Sequence, residues 1–279
     1  MKSYKYIIAD LRYKINKFSK FTCQENSFNI LLIVAKGGGN VQKTVIKEII
    51  CPKCNEITEG KLYTSINATN NPHLRNEVLE ENLFHWRCHS CGHEARLTYP
   101  LLYNDMKKRF MVYLIPEIDR FQLADNELEE EFKNLKGIRK RLAPDFNTFK
   151  EKLFIFENGL DDMAVEMTKL AISESVARKL KLREVTEGYL SMYDRESNTM
   201  GFTFLIGLEK EPYIQSVRLE IYSKSLAIVD EIADKDKKLN GFLTIDREWA
   251  TNILYRYKRS KQRARIKREE SFNNPENKE

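Results

Sequence analysis

Four cysteines, Cys51, Cys54, Cys88 and Cys91, form two C-x-x-C pairs, the spacing a metal-thiolate site requires. A two-residue gap lets both thiolates of a tight turn face one ion, at Zn–S distances of ~2.3 Å. Two such turns complete a tetrahedral shell, so one structural zinc is expected there. Pro52 stiffens the first turn, and Gly92, after Cys91, suits the left-handed backbone such turns adopt. A redox dithiol needs one pair, not two flanked by strands. Four thiolates leave no open position for a water, so this metal is expected to build structure rather than do chemistry. All four histidines, His73, His85, His89 and His93, lie near the pairs in sequence. From His89 or His93 an imidazole would replace a thiolate; the competing reading is surface histidines or donors to the thiolates. The zinc-deaminase pattern of H-x-E and then P-C-x-x-C is absent, and Cys23 reads as an idle thiol.

Other residues invite chemistry less firmly. Asp161 and Asp162, with Glu157 nearby, offer carboxylates for acid–base work in an enzyme, or simply acids in a helix's first turn. The stretch Lys36–Thr44 nearly reads as a phosphate-binding loop, but Gln42 stands where the second glycine belongs. Only six residues separate Thr44 from Cys51, too few for the helix such a loop opens. Leu226–Glu231 resembles a Walker B strand, but its apolar spacing reads as helix. Arg256–Arg268 carries eight basic side chains and no acidic one. Those charges exceed the net +6, so the rest of the chain carries −2. Any protein or nucleic-acid partner drawn by charge therefore meets this segment, whose other reading is a solvated helix end.

These side chains need elements to place them. Strands are expected at Thr44–Ile50 leading into the first pair and at Leu62–Ile66, with a helix over Pro72–Glu81. Leu83–Arg87 should be a strand leading into the second pair, followed by strands at Glu94–Thr98 and Phe110–Ile115. Ile30–Val34 reads as a strand and 117–127 as a polar linker. Phe146, Phe149, Leu153 and Phe156 form one helical stripe, stopped at Asn158-Gly159. A second helix starts near Asp161. A hairpin follows at Gly188–Tyr193 and Met200–Ile206, then a strand at Ser216–Tyr222 and helices near Leu226–Ala233 and Asp246–Lys258. The fold class is α+β: a zinc-ribbon-like, β-rich N-terminal module with an inserted helix, then a larger mixed α+β half. The divisions are 1–40, an extension; 41–120, the zinc module; 121–262, the C-terminal half; and 263–279, a basic then polar tail expected to be disordered.

The chain has 279 residues, 32% of them charged, and no apolar run of the ~20 residues a membrane span needs. The N-terminus lacks an apolar core and a small-residue cleavage site, so the expected compartment is the cytoplasm, with no membrane partner.

Cys51-Pro-Lys-Cys54, then Cys88-His-Ser-Cys91-Gly92, then Leu101–Asp105, then Ile155–Asp162 together resemble the bacterial CpXC-domain proteins, from about residue 46 to about 260. The resemblance implies a prokaryotic intracellular protein and supports the four cysteines as metal ligands. It implies no reaction. Asn55 stands where a glycine often follows the first pair, and asparagine tolerates the same backbone. Residues 1–40 fall outside the resemblance. They read as an extension or as a start placed too early, with Val41 the natural start; N-terminal mass spectrometry of the native protein separates these.

Overall fold

The computed structural model describes residues 19–22, 43–116 and 135–273, with side chains over 43–116 and 135–269. The expected strand at Ile30–Val34, the linker at 117–127 and Cys23 lie outside the described residues. β1 (Ser19–Thr22) is followed by the hairpin β2 (Lys43–Ile50) and β3 (Ile57–Asn67). Helix α1 (Pro72–Leu79) carries a proline in its first turn and buries Leu74 and Val78. A 3-10 turn at Asn82–Phe84 leads into β4 (His85–Arg87), which forms a second hairpin with β5 (Glu94–Thr98). β6 (Leu101–Asp105) and β7 (Phe110–Leu114) follow as an antiparallel pair buried along their whole length.

β8 (Arg139–Ala143) adds to β7 in parallel and completes a five-stranded mixed sheet ordered β2-β3-β6-β7-β8. The stretch after residue 121 therefore shares a sheet with the stretch before it. β1 lies parallel to β5 and makes a three-stranded sheet ordered β1-β5-β4. Helix α2 (Phe146–Glu157) starts at an Asp145 cap, whose side chain accepts from the Thr148 N–H. Its stripe Phe146, Phe149, Leu153 and Phe156 is buried as expected, and so are Lys150, Glu151 and Lys152 on its other faces. α2 packs on β7, β8 and β9 (Gly188–Asp194) and so occupies the centre of the molecule.

Helix α3 (Asp162–Leu180) runs against α4 (Leu219–Ile232) and α6 (Arg247–Asn273). Met163, Met167, Leu170, Val229, Ala250 and Ile253 form a separate helical core there. A short α5 (Asp234–Lys238) links α4 toward α6. β9, β10 (Thr199–Ile206) and β11 (Glu211–Arg218) form an antiparallel meander, with Asn198 at φ 55° in the first turn.

The α+β class and the inserted helix are as expected, and two details differ. Leu219–Tyr222 begins α4 instead of ending a strand, because β11 stops at Arg218 where the Leu219 N–H turns to the Asn198 carbonyl. α6 continues to Asn273, so the basic segment and part of the expected disordered tail are helical. Among the described residues, no helix is long and apolar enough to cross a membrane.

Candidate metal centre

The two cysteine turns have the same construction. In the first, joining β2 to β3, the Cys51 N–H donates to Glu56 O (2.9 Å) and the Asn55 N–H to Cys51 O (2.8 Å). In the second, joining β4 to β5, the Cys88 N–H donates to His93 O (2.8 Å) and the Gly92 N–H to Cys88 O (3.0 Å). The fourth residue after each leading cysteine is left-handed: Asn55 at φ 58° and Gly92 at φ 69°. Glycine reaches that region without strain and asparagine at little cost, which is why these two residue types stand there.

The hairpins bring the four Sγ atoms within 4.8 Å of one another. Cys51 Sγ lies 3.6 Å from Cys91 Sγ, and Cys54 Sγ 3.7 Å from Cys88 Sγ. A tetrahedron with ~2.3 Å metal–sulfur bonds has edges of ~3.8 Å, so the sulfurs fit one ion. Among the described residues this is the one group of three or more ligating side chains so gathered, and it contains no histidine. Neither His89 nor His93 replaces a cysteine in it.

Electrostatics suit a cation here. Burial opposes ionisation of Cys51, but the N–H groups of Cys54 and Lys53, with the Cys54 and Cys91 thiols, lower its thiol to about 6. At Cys54 the Glu56 N–H favours the thiolate, but partial loss of hydration and the sulfurs of Cys91, Cys51 and Cys88 prevail and push the thiol up to about 12. The first thiolate forms readily, and further ones need positive charge between them.

Cys51 and Cys88 are buried, Cys91 is half-buried and Cys54 is exposed, so the site has an inner and an outer side. On the inner side Cys51 and Cys88 join the main core with Ile49, Trp86 and Phe84. A Cβ at Gly60 would sit 2.2 Å from Ile49 Cδ1 and 3.8 Å from Trp86 Cδ1, so a larger residue there would have to displace the end of the Ile49 side chain. Phe84 stacks edge-on against Phe146 of α2 at 4.5 Å, carrying the contact into the molecular centre.

The carboxylates singled out in sequence are all engaged. Asp161 caps α3 by accepting from the Ala164 N–H. Asp162 is 1% exposed and accepts from Arg141 Nε (2.7 Å) and Nη2 (2.9 Å) and from Lys152 Nζ (3.1 Å). Burial opposes its charge, and the two cations hold its carboxyl well below the usual range. Glu157 accepts from Arg75 (2.8 Å), Lys108 and the Tyr103 hydroxyl (3.4 Å), tying α1 and the β6–β7 turn to the end of α2. Lys43-Thr44 open a strand, not a helix, and Leu226–Glu231 lie within α4, so neither nucleotide-binding motif has its required context.

A cleft of about 480 Å³ in the C-terminal half, unforeseen from sequence, is lined by Glu151, Glu166, Lys169, Tyr189 and Arg247 among others. Lys169 bridges Glu151 (2.9 Å) and Glu166 (2.8 Å). Burial raises the Glu166 carboxyl against the pull of Lys169, with the Glu151 charge adding to it. The available signal was the i, i+3 pair Glu166–Lys169 inside an otherwise apolar helical stretch.

Two like-built cysteine turns converge on one ion-sized space, carried by hairpins of a mixed α+β fold, and form a four-cysteine cluster that could hold a metal ion. Residues 49–169 match the family model described as CpXC protein, so the chain carries a CpXC region there. That match ends inside α3, and residues 170–260, which the resemblance took in, lie beyond it. No curated protein and no solved structure matches the chain.

Proposed function

We propose that this is a structural-zinc protein, in which one Zn²⁺ on Cys51, Cys54, Cys88 and Cys91 fixes a zinc-ribbon-like module that presents surfaces to a macromolecular partner. The observation that carries it is the convergence of four sulfurs within 4.8 Å, two pairs of them near the tetrahedral edge length, between two hairpins anchored in the core. Thiolate-only donors favour zinc over the hard cations magnesium and calcium, and four of them close the shell against a reacting water. Reduced thiolates persist in the cytoplasm, which is the compartment we assign. The enzyme alternative loses its named carboxylates, since Glu157, Asp161 and Asp162 are tied into ion pairs or a helix cap.

The test is elemental analysis of the purified protein beside a Cys51→Ser, Cys88→Ser variant. One zinc per chain, with loss of both metal and folding in the variant, is the expected result. Zinc lost without loss of folding would overturn the structural role. A different metal, or none, would overturn zinc itself.

A further inference from the structure

The far end of α6 stands away from the body. Trp249, Ala250, Ile253 and Leu254 pack at its base, whereas every residue from Lys258 to Glu269 is exposed. At 1.5 Å per residue that is a rod of ~18 Å. Two basic residues anchor it: Arg256 to Asp236 (3.2 Å) and the Ile232 carbonyl (2.7 Å), and Lys261 to Glu231 (2.9 Å). Arg265 pairs with Glu269 on the rod itself. Among the residues with described side chains, none is an acidic partner of Lys258, Arg259, Arg263 or Lys267.

Helical periodicity sorts these charges into two rows. Arg259, Arg263 and Lys267, at i, i+4 and i+8, form one. Lys258, Lys261, Arg265 and Arg268 form the other, about 180° around the axis. Gln262 and Ile266 lie between the rows on the side away from the base. Like charges four residues apart repel, and a short helix without packing is marginal in water. A partner that supplied negative charge along the Arg259–Lys267 row would remove that repulsion, and on the other row it would take over from Glu231 and Glu269, which already meet Lys261 and Arg265.

The chemistry of the rod limits what that partner can be. Ala264 and Ile266 are its only apolar residues between Lys258 and Glu269, which is no stripe for a membrane surface or a protein groove. The major groove of B-form DNA is ~12 Å wide, admits one helix, and is walled by phosphates on both sides. The deep groove of duplex RNA is too narrow for a side-chain-bearing helix. The rod carries seven basic residues and Glu269, a net +6 equal to that of the whole chain, so attraction to a polyanion concentrates on it.

We propose that the exposed half of α6 is a double-stranded DNA-binding element that lies in the major groove, its two basic rows facing the opposite phosphate walls. This names the partner class within the binding-module reading and rests on that reading only for the notion of a partner, not for the metal.

The test uses the full chain and an Arg259→Gln, Arg263→Gln, Lys267→Gln variant, with a labelled mixed-sequence DNA duplex as probe. Fluorescence anisotropy gives affinity across about 50–200 mM salt. The variant should bind roughly 10-fold or more weakly near 0.1 M salt, and the slope of log K on log salt should fall by about 2.7, ~0.9 per lost phosphate contact. The charge-preserving variant Arg259→Lys, Arg263→Lys should keep the parent slope. An unchanged slope in the triple variant would overturn the proposal. Duplex RNA bound as tightly as DNA would overturn the groove geometry, and retention on anionic vesicles in place of DNA would move the rod to a lipid surface. Zinc content measured on the same samples separates the two readings: DNA bound without zinc sinks the metal proposal alone, and zinc without DNA binding sinks this one alone.

Discussion

Removing the Asp162 carboxylate would leave Arg141 and Lys152 buried with no anion between them. An Asp162→Asn variant should lose ~3–5 kcal/mol of stability in denaturant unfolding, the cost of an uncompensated buried charge. The pH dependence has a definite sign. The folded carboxyl lies below its unfolded value of ~3.9, so its contribution is complete above that pH and declines as pH falls toward the folded value. Acid unfolding monitored by circular dichroism should therefore begin at higher pH in parent protein stripped of this ion pair by mutation of Arg141 than in the intact parent. Glu166 has the opposite sign. Its carboxyl is raised, so its ionisation detracts from stability as pH rises, and Glu166→Gln should be neutral or stabilising at pH 7 in thermal unfolding. Glu151 meets Lys169 through both carboxylate oxygens, so Glu151→Gln, which keeps an acceptor for the Leu190 N–H but turns an amide NH2 toward Lys169, should destabilise the protein in the same assay.

The cysteine turns make predictions at the level of the hairpin. Gly92→Ala places a Cβ in ordinary contact with Arg87 at 3.7 Å, so its cost is conformational. It should amount to roughly 1–2 kcal/mol, read as weaker zinc retention against a competing chelator. Exhaustive chelation should change the near-UV dichroism of Trp86, which lies in β4 of the second hairpin and packs toward Gly60 of the first, and the change should vanish in Trp86→Phe. These turns were legible in the sequence because their chemistry is local: cysteine spacing and a residue able to take positive φ specify them almost alone. The inserted helix and the stripe of α2 were legible for the same reason. β8 was not, because its sequence, Arg139-Lys-Arg-Leu-Ala143, reads as surface. It is buried because Lys140 reaches the Asn240 carbonyl and Arg141 reaches Asp162, partners too distant in sequence to foresee. Leu219–Tyr222 was misread as strand because its residue types suit either state, and only the contacts of α4 with α3 decide.

For the whole molecule, β8 matters more than the boundary near residue 120 suggests. It closes the sheet begun by β2, and α2 packs on both β7 and β8. Residues 41–120 expressed alone should expose the β7 edge and the face that α2 covers. Such a fragment should aggregate or remain unfolded with zinc present, whereas 41–273 should fold cooperatively, as sedimentation and thermal unfolding would report. The 33 residues between Cys54 and Cys88 have a consequence during synthesis. At ~5–20 residues per second, the first cysteine turn leaves the ribosome about 2–7 s before the second. During that interval it offers two sulfurs, too few to close a shell, while α1 and β3 are already available to fold. With zinc as the proposed occupant, metal capture would report that the second hairpin has arrived, and a cell short of zinc would accumulate newly made chains held at that half-finished stage.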